Sequence, residues 1–348
     1  FPDFEPPQGL RDALARAMDE GRNQYAPMHG TAPLREQIAL KTERMYGHRP
    51  DVDAEITVTS GATEALFAAI AAMVRTGEEV IVFDPAYDSY EPAIELQGAR
   101  AVHIPLLAPS FAVDWQRVRD AVTPRTRMIL INSPHNPSGA VLSAADLDEL
   151  AAIVRDTGIV VLSDEVYEHI VYDGRQHESV LRHPELAARS IVVSSFGKTY
   201  HCTGWKLGYA VAPRALTAEF RKVHQYLTFC SFHPAQAAFA EFLASDPRHY
   251  LELPAFYQAK RDRFRALLAP SRFTLLDVPG GYFQLVDYSA IRDEDDLVFS
   301  RWLVEQGGVA AIPLTPFCET ALGTRLLRLC FAKSDATMEA AAERLCRL

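Results

Sequence analysis

ITVTSGATEALFAAIAAMVRTGEEVIVF (residues 56–83) decides the fold. The β-branched run Ile56–Thr59 leads straight into SGATEALFAAIAAMVR, whose alanines and apolar spacing favour a helix, and a second apolar run, EVIVF, starts at Glu79. The pattern then recurs. RMILINSPHNPSG, from Arg127, reads as a strand running into a turn, residues 144–156 as a helix, and residues 159–163 and 191–195 as strands rich in Val and Ile. Strands alternating with helices predict an α/β fold with a mainly parallel sheet covered on both faces. After Pro213 the character changes: helical patterns over roughly residues 217–243 and 251–268 precede the hairpin-like FTLLDVPGGYFQLVDY and a last strand–helix unit. We expect a large domain over residues 30–215. Residues 1–29 and 216–348 are expected to form a smaller α+β domain, with the N-terminal segment and a connecting helix.

Composition narrows the function. The 348 residues are 48% hydrophobic and 23% charged, an ordinary soluble balance. A net charge of −10 with no basic stripe argues against nucleic acid as a partner. Five scattered cysteines without a CxxC pair argue against a disulfide framework or a metal site and fit a reducing, cytoplasmic setting. Apolar runs are short and broken by charge, so neither a membrane span nor a signal peptide is expected. No GxGxxG follows the first strand, against a dinucleotide-dependent dehydrogenase.

Several segments carry chemistry. In SSFGKTYHCTGWKLGY (residues 194–209), Lys198 follows a buried-looking strand and is flanked by Ser195, Gly197 and Thr199. An isolated lysine at a strand end is ordinarily a solvated charge. These surroundings suit a confined amine that becomes neutral and nucleophilic, as a Schiff-base lysine must. Lys206 offers a second fixed cation for a phosphate. Asp164, in SDEVYEHI, ends a strand, where it either caps a helix or faces a ligand; Tyr167 reaches the same side if the segment turns helically. NSPHNPSG (residues 132–139) is a plain turn or a rigid mount for Asn136 through a cis Asn136–Pro137 bond. Gly61, Ala62 and Thr63, in SGATEA, open a helix whose N–H groups suit an anion, although many strand-to-helix turns look alike. Tyr87, in DPAYDSY, is either half-buried or a stacking face for a flat ring. Arg328, in RLLRLCFAK, must find a partner, either an internal carboxylate or a ligand's.

Taken in order with NQYAPMHGTAPLR (residues 23–35), these segments resemble the class I/II aminotransferase family of fold-type I pyridoxal-phosphate enzymes, over essentially the whole chain. YAPMHG, SSFGKTYHCTGWK and AAIPLTPFC are most similar to the methionine aminotransferase and kynurenine–oxoglutarate transaminase branch. The resemblance implies a mainly parallel seven-stranded sheet and bound pyridoxal 5'-phosphate. It implies that Lys198 holds the cofactor as a Schiff base and shuttles a proton, and that Asp164 pairs with the pyridine nitrogen. Tyr167 and Asn136 then hydrogen-bond the phenolic oxygen, and Tyr87 stacks on the ring. Gly61, Ala62, Thr63, Ser195 and Lys206 hold the phosphate, joined by Tyr25 of the neighbouring subunit in a homodimer with shared sites. Arg328 and Asn136 bind the substrate α-carboxylate.

The implied reaction moves an amino group from an amino acid to a 2-oxo acid by a ping-pong route. A cysteine-conjugate β-lyase on the same residues, or a non-catalytic aminotransferase-like module, are the alternatives. The chain departs from the family twice. The glycine that precedes the FPDF segment in relatives has no counterpart in this sequence, and residues 230–234 read CSFHP, with Phe232 and His233 where small or polar residues are usual. The stretch 226–234, YLTFCSFHP, holds no Lys or Arg. Large uncharged donors (methionine, aromatic or glutamine-like) are therefore expected over aspartate, with Phe229, Phe232, Tyr25 and Tyr90 as apolar surface.

Overall fold

In the computed structural model, which describes residues 2–321 and 323–348, the alternating half of the chain forms one seven-stranded sheet. Its strands are β1 (Ile56–Thr59), β2 (Glu79–Asp84), β3 (Arg100–Pro105), β4 (Thr126–Asn132), β5 (Val160–Asp164), β6 (Ser190–Ser195) and β7 (Gly208–Val211), in spatial order β1-β7-β6-β5-β4-β2-β3. Only β7 runs antiparallel to its neighbours, β1 and β6. Both faces are covered, and the alternation of side chains accounts for it. Ile81, Phe83, Ile129 and Ile131 enter one apolar cluster, whereas Val80, Val82, Met128 and Leu130 enter another on the opposite face.

The C-terminal part builds an antiparallel four-stranded sheet from β8 (Thr274–Leu275), β9 (Phe283–Asp287), β10 (Ile312–Pro313) and β11 (Leu326–Cys330), in order β10-β11-β9-β8. Its core includes Tyr288 stacked on Phe299 with ring centroids 3.9 Å apart. The hairpin read from FTLLDVPGGYFQLVDY is the β8–β9 pair.

Three expectations need correction. The helix expected over residues 217–243 is two helices, Arg214–Leu227 and His233–Ser245. Pro234 has no N–H to donate and fits only a first helical turn, so the chain breaks before it, with Phe229 at φ +66°. The next helix starts at Arg248 rather than 251 and carries Pro254 inside it. Strands β3 and β7 escaped the sequence reading: β3 lies at the sheet edge and is mostly only half-buried, and β7 is four residues long. Among the described residues, no helix is long and apolar enough to cross a membrane.

The turn after β5 is pinned from behind. Glu165 accepts from Ser163 Oγ (2.8 Å), His177 Nε2 (2.8 Å) and the Val180 N–H (3.2 Å). Glu168 is buried against Lys41 and the Tyr46 hydroxyl, and Lys41 Nζ also reaches the Tyr209 hydroxyl at 2.9 Å. Burial alone raises a carboxyl pKa, yet the Lys41 ammonium beside Glu168 holds that carboxyl well below the usual range. Lys41→Ala leaves a buried carboxylate without its counter-charge. We expect a loss of about 3 kcal/mol in unfolding free energy by urea titration; a loss below about 1 kcal/mol, the value of a surface pair, would show that Glu168 is not held by Lys41.

Candidate active site

The carboxyl ends of the parallel strands open on a cavity of about 360 Å³, closed on its other side by residues of the small sheet. Gly61, Ala62, Thr63, Tyr87, Asn136, Asp164, Tyr167, Ser195, Lys198, Lys206 and Arg328 all line it. Tyr25 does not. It is 83% exposed on this chain, edge-on to Phe229 at 5.5 Å between ring centroids.

Asp164 ends β5 and caps no helix, because a turn follows it. Its Oδ1 accepts from the Val166 N–H (3.3 Å) and its Oδ2 from the Tyr90 hydroxyl (2.6 Å). Burial pushes the Asp164 carboxyl up to about 6, against those two hydrogen bonds and the Lys198 charge, which pull it down. The same turn, without being helical, presents Tyr167 to the cavity. Lys198 Nζ lies 5.7 Å from the Tyr167 ring centroid and donates to the Tyr282 hydroxyl at 3.3 Å.

Gly61, at φ +79°, starts the Gly61–Met73 helix, and no side chain caps that helix's first N–H groups. A Cβ on Gly61 would lie 3.3 Å from Lys206 Cε, and one on Gly208 would lie 2.7 Å from the Ser194 carbonyl and 2.9 Å from the Ala62 nitrogen. These glycines leave a backbone cradle beside an ammonium, which suits an anion.

The Asn136–Pro137 peptide is cis, as the sequence reading allowed. The Asn136 N–H donates to Asn132 Oδ1 (2.8 Å), and Arg328 Nη1 donates to Asn136 Oδ1 (2.6 Å). The Arg328 guanidinium lies 4.2 Å from the Phe283 ring centroid and 5.7 Å from that of Phe317. Among the described residues no carboxylate hydrogen-bonds or ion-pairs with it, and burial lowers its pKa against the nearby charge of Asp88. The internal Asp or Glu considered from sequence is not there.

Comparison with known proteins agrees with this geometry. The family model for aminotransferases of class I and II matches residues 1–345. The chain belongs to the class I and II aminotransferase family. It is 54% identical over 348 residues to the methionine aminotransferase of Escherichia coli strain K12, covering 100% of this chain and 90% of that protein. It is 33% identical to mouse kynurenine–oxoglutarate transaminase 1, covering 99% and 90%. The solved structure of an Escherichia coli protein with an identified methionine aminotransferase function superposes with a TM-score of 0.99, at 54% identity, over 100% of this chain and 92% of that one.

This aminotransferase is pyridoxal-phosphate-dependent, as its family is, and the residues present fit that group. The glycine cradle with Lys206 accommodates a phosphate, a buried carboxyl faces the cavity, and a lysine amine reaches into it. The sequence reading missed three members of the site. Tyr90, expected as apolar surface, sits three residues past Tyr87 in the same motif and works through its hydroxyl. Asn132 opens the NSPHNPSG motif and also holds the Asp164 carbonyl through its amide at 2.9 Å. Tyr282 comes from the distant hairpin, and nothing local marks it.

Because the Tyr90 hydroxyl donates to the carboxylate form of Asp164, removing it disfavours the charge. We expect Tyr90→Phe to raise the Asp164 pKa in the cofactor-free protein by roughly one pH unit. Infrared titration of the carboxyl band, with Asp164→Asn as the blank, measures it, and an unmoved midpoint would remove Tyr90 from the account.

Proposed function

We propose that this aminotransferase takes the amino group from methionine and other large uncharged amino acids, aromatic and glutamine-like ones included, and passes it to a 2-oxo acid in a ping-pong cycle in the cytoplasm. The charge inventory of the cavity carries the substrate reading: Lys198, Lys206 and Arg328 are its only Lys or Arg among the described residues. With Lys206 at the phosphate and Lys198 at the reacting carbon, Arg328 and Asn136 remain for one α-carboxylate. A second, side-chain carboxylate would meet Phe283, Phe317 and Tyr87. Leaving it unpaired there costs about 1–3 kcal/mol, whereas each buried methylene contributes about 0.8 kcal/mol. The Escherichia coli relative named a methionine aminotransferase supports the same reading.

Pyridoxal phosphate, when bound, supplies the electron sink that makes the substrate Cα–H acidic. Lys198 would hold the cofactor through Nζ, and its free amine would carry the substrate α-proton as general base and acid. The Asp164 carboxylate would pair with the ring nitrogen, Tyr167 and Asn136 would hydrogen-bond the ring oxygen, and Tyr87 would stack on the ring. Gly61, Ala62, Thr63, Ser195 and Lys206 would bind the phosphate. We assign residues 30–215 to a large domain and the remainder to a small one.

Exposed aromatic surface supports a homodimer. Tyr25, Tyr226, Phe229 and Phe232 are all exposed, Tyr226 at 87%, and burying them against a second copy would place Tyr25 at the neighbour's phosphate site. Phe232 and His233 do not line the cavity of their own chain, and His233 Nδ1 lies 2.9 Å from the Gln24 carbonyl oxygen. In this arrangement they act on the neighbour's pocket rather than their own.

Steady-state kcat/KM for methionine, phenylalanine, glutamine and aspartate, with one common acceptor at pH 8, tests the substrate assignment. Methionine should exceed aspartate by at least about tenfold, the equivalent of about 1.4 kcal/mol; aspartate coming out best would overturn it. Mixing Tyr25→Phe with Lys198→Ala, each impaired alone, should restore about a quarter of wild-type activity, since half the dimers are mixed and each has one intact site. Activity no higher than the sum of the two separate variants would show that sites are not shared.

A further inference from the structure

A second cavity, of about 160 Å³, lies behind the active site. Its walls are largely apolar, with Phe83, Leu106, Phe111, Leu130, Ile131 and Leu142 among them. That volume is close to the size of an engineered protein cavity known to take a benzene ring. Its buried polar groups are already engaged. Asp146 accepts from Trp115 Nε1 (2.8 Å) and from the Ser143 N–H (2.8 Å) and Oγ (2.6 Å), and both His135 ring nitrogens have partners, Ser138 Oγ at 2.6 Å and the Pro85 carbonyl oxygen at 3.0 Å. An occupant therefore needs an apolar body. Phe111 forms part of the wall, 3% exposed and at φ +52°, a left-handed conformation that a bulky residue adopts only when its surroundings hold it there.

The mouth of this cavity is different. Ser110, Phe111, Ala140, Arg175 and Pro279 also line an outer cleft that holds Arg261, Arg265, Asp173 and Asp277. Arg261 is committed to both oxygens of Asp173, each at 2.7 Å. Arg265 is committed to the Leu276 carbonyl (2.6 Å) and Gln284 Oε1 (2.9 Å), with Asp277 3.9 Å away. Arg175 is exposed and, among the described residues, its guanidinium makes no hydrogen bond or ion pair. A planar cation whose N–H donors are unspent, near the Asp173 carboxylate that Arg261 already holds, thus stands where an apolar cavity opens to solvent.

We propose that this cleft binds a small monocarboxylate with an apolar body, the ring or branched chain in the cavity and the carboxylate on Arg175. Charge complementarity and size together select that class: a neutral hydrocarbon leaves Arg175 unused, and a short polar acid leaves the cavity unfilled. The site is separate from the substrate site, whose carboxylate anchor is Arg328. It is also adjacent to it. Tyr90 and Asn132 line both cavities, and these two side chains hold the carboxylate and the carbonyl of Asp164. A ligand in the rear cavity packs against the far side of the groups that position Asp164.

Phenylacetate serves as the probe, with benzyl alcohol and acetate as the acid-free and ring-free controls. Calorimetric titration of cofactor-loaded Arg328→Gln protein, which lacks the active-site anchor, should give one saturable phenylacetate site, with both controls at least about tenfold weaker. Adding Arg175→Ala should weaken phenylacetate by about tenfold. Arg175→Ala alone should leave transamination at the wild-type rate, since Arg175 is exposed and outside the active-site cavity. The proposal is overturned if Arg328→Gln protein binds no phenylacetate, or if Arg175→Ala leaves the affinity unchanged.

Discussion

The site depends on one turn, and the turn depends on two buried carboxylates that never face the cavity. In SDEVYE, Asp164 and Tyr167 point into the cavity while Glu165 and Glu168 point away from it. Glu165 is anchored to β5 through Ser163 and to the following segment through His177 and Val180. Glu168 is anchored to the helix Ala32–Tyr46 through Lys41 and Tyr46. Burying a carboxylate costs several kcal/mol unless ammonium, hydroxyl and amide donors surround it. Here each has such donors, so the turn cannot rotate without losing them. That rigid backing holds Asp164 in place although burial raises its carboxyl pKa.

The opposite wall follows from β7. Its antiparallel insertion between β1 and β6 carries the chain back from Lys198 and Lys206, and it places Gly208 directly against Ala62 and Ser194. Any side chain there would enter the cradle's own backbone. Lys206 itself is in the left-handed region, φ +50°, at the turn that starts this return. The lysine's aim and the cradle's depth are thus set by the same short connection. This explains why two cations eight residues apart converge on one cavity.

Much of this was legible in the chain. Strand positions followed from runs such as EVIVF and IVVLS because parallel strands buried on both faces need continuous apolar residues. Site residues were legible where they fell at strand ends: Asp164 at the end of β5, Asn136 after β4, Lys198 after β6. What stayed hidden came from elements with weak local signals or distant partners. The half-exposed edge strand RAVHIP lacks a buried face to read. The break before His233 turned on a single proline inside an otherwise helical pattern. Tyr282 meets Lys198 across 84 residues of sequence, a contact that only the packing of the small sheet on the large one creates. Tyr90 was visible as an aromatic, but whether its hydroxyl or its ring matters depends on what lies opposite, and that is Asp164.

Arg328 shows how the small sheet contributes chemistry rather than cover. It sits mid-strand in β11, where β9 on one side supplies Phe283 and the loop after β10 supplies Phe317, so its guanidinium is flanked by ring faces and touches one amide oxygen. A buried arginine with a carboxylate neighbour would be neutralised internally and would bind a substrate carboxylate only by exchange. Ring quadrupoles stabilise the cation without competing for its donors, because they occupy its faces and leave its N–H edge free. Burial lowers the pKa of this guanidinium, which means the charge is under-solvated. In the proposed substrate reading, an incoming carboxylate would relieve that cost, while Asn136, fixed through Asn132, accepts from Nη1 of the same guanidinium. As proposed, one such anchor would orient every amino acid by the group they share and leave discrimination to the aromatic walls beyond it.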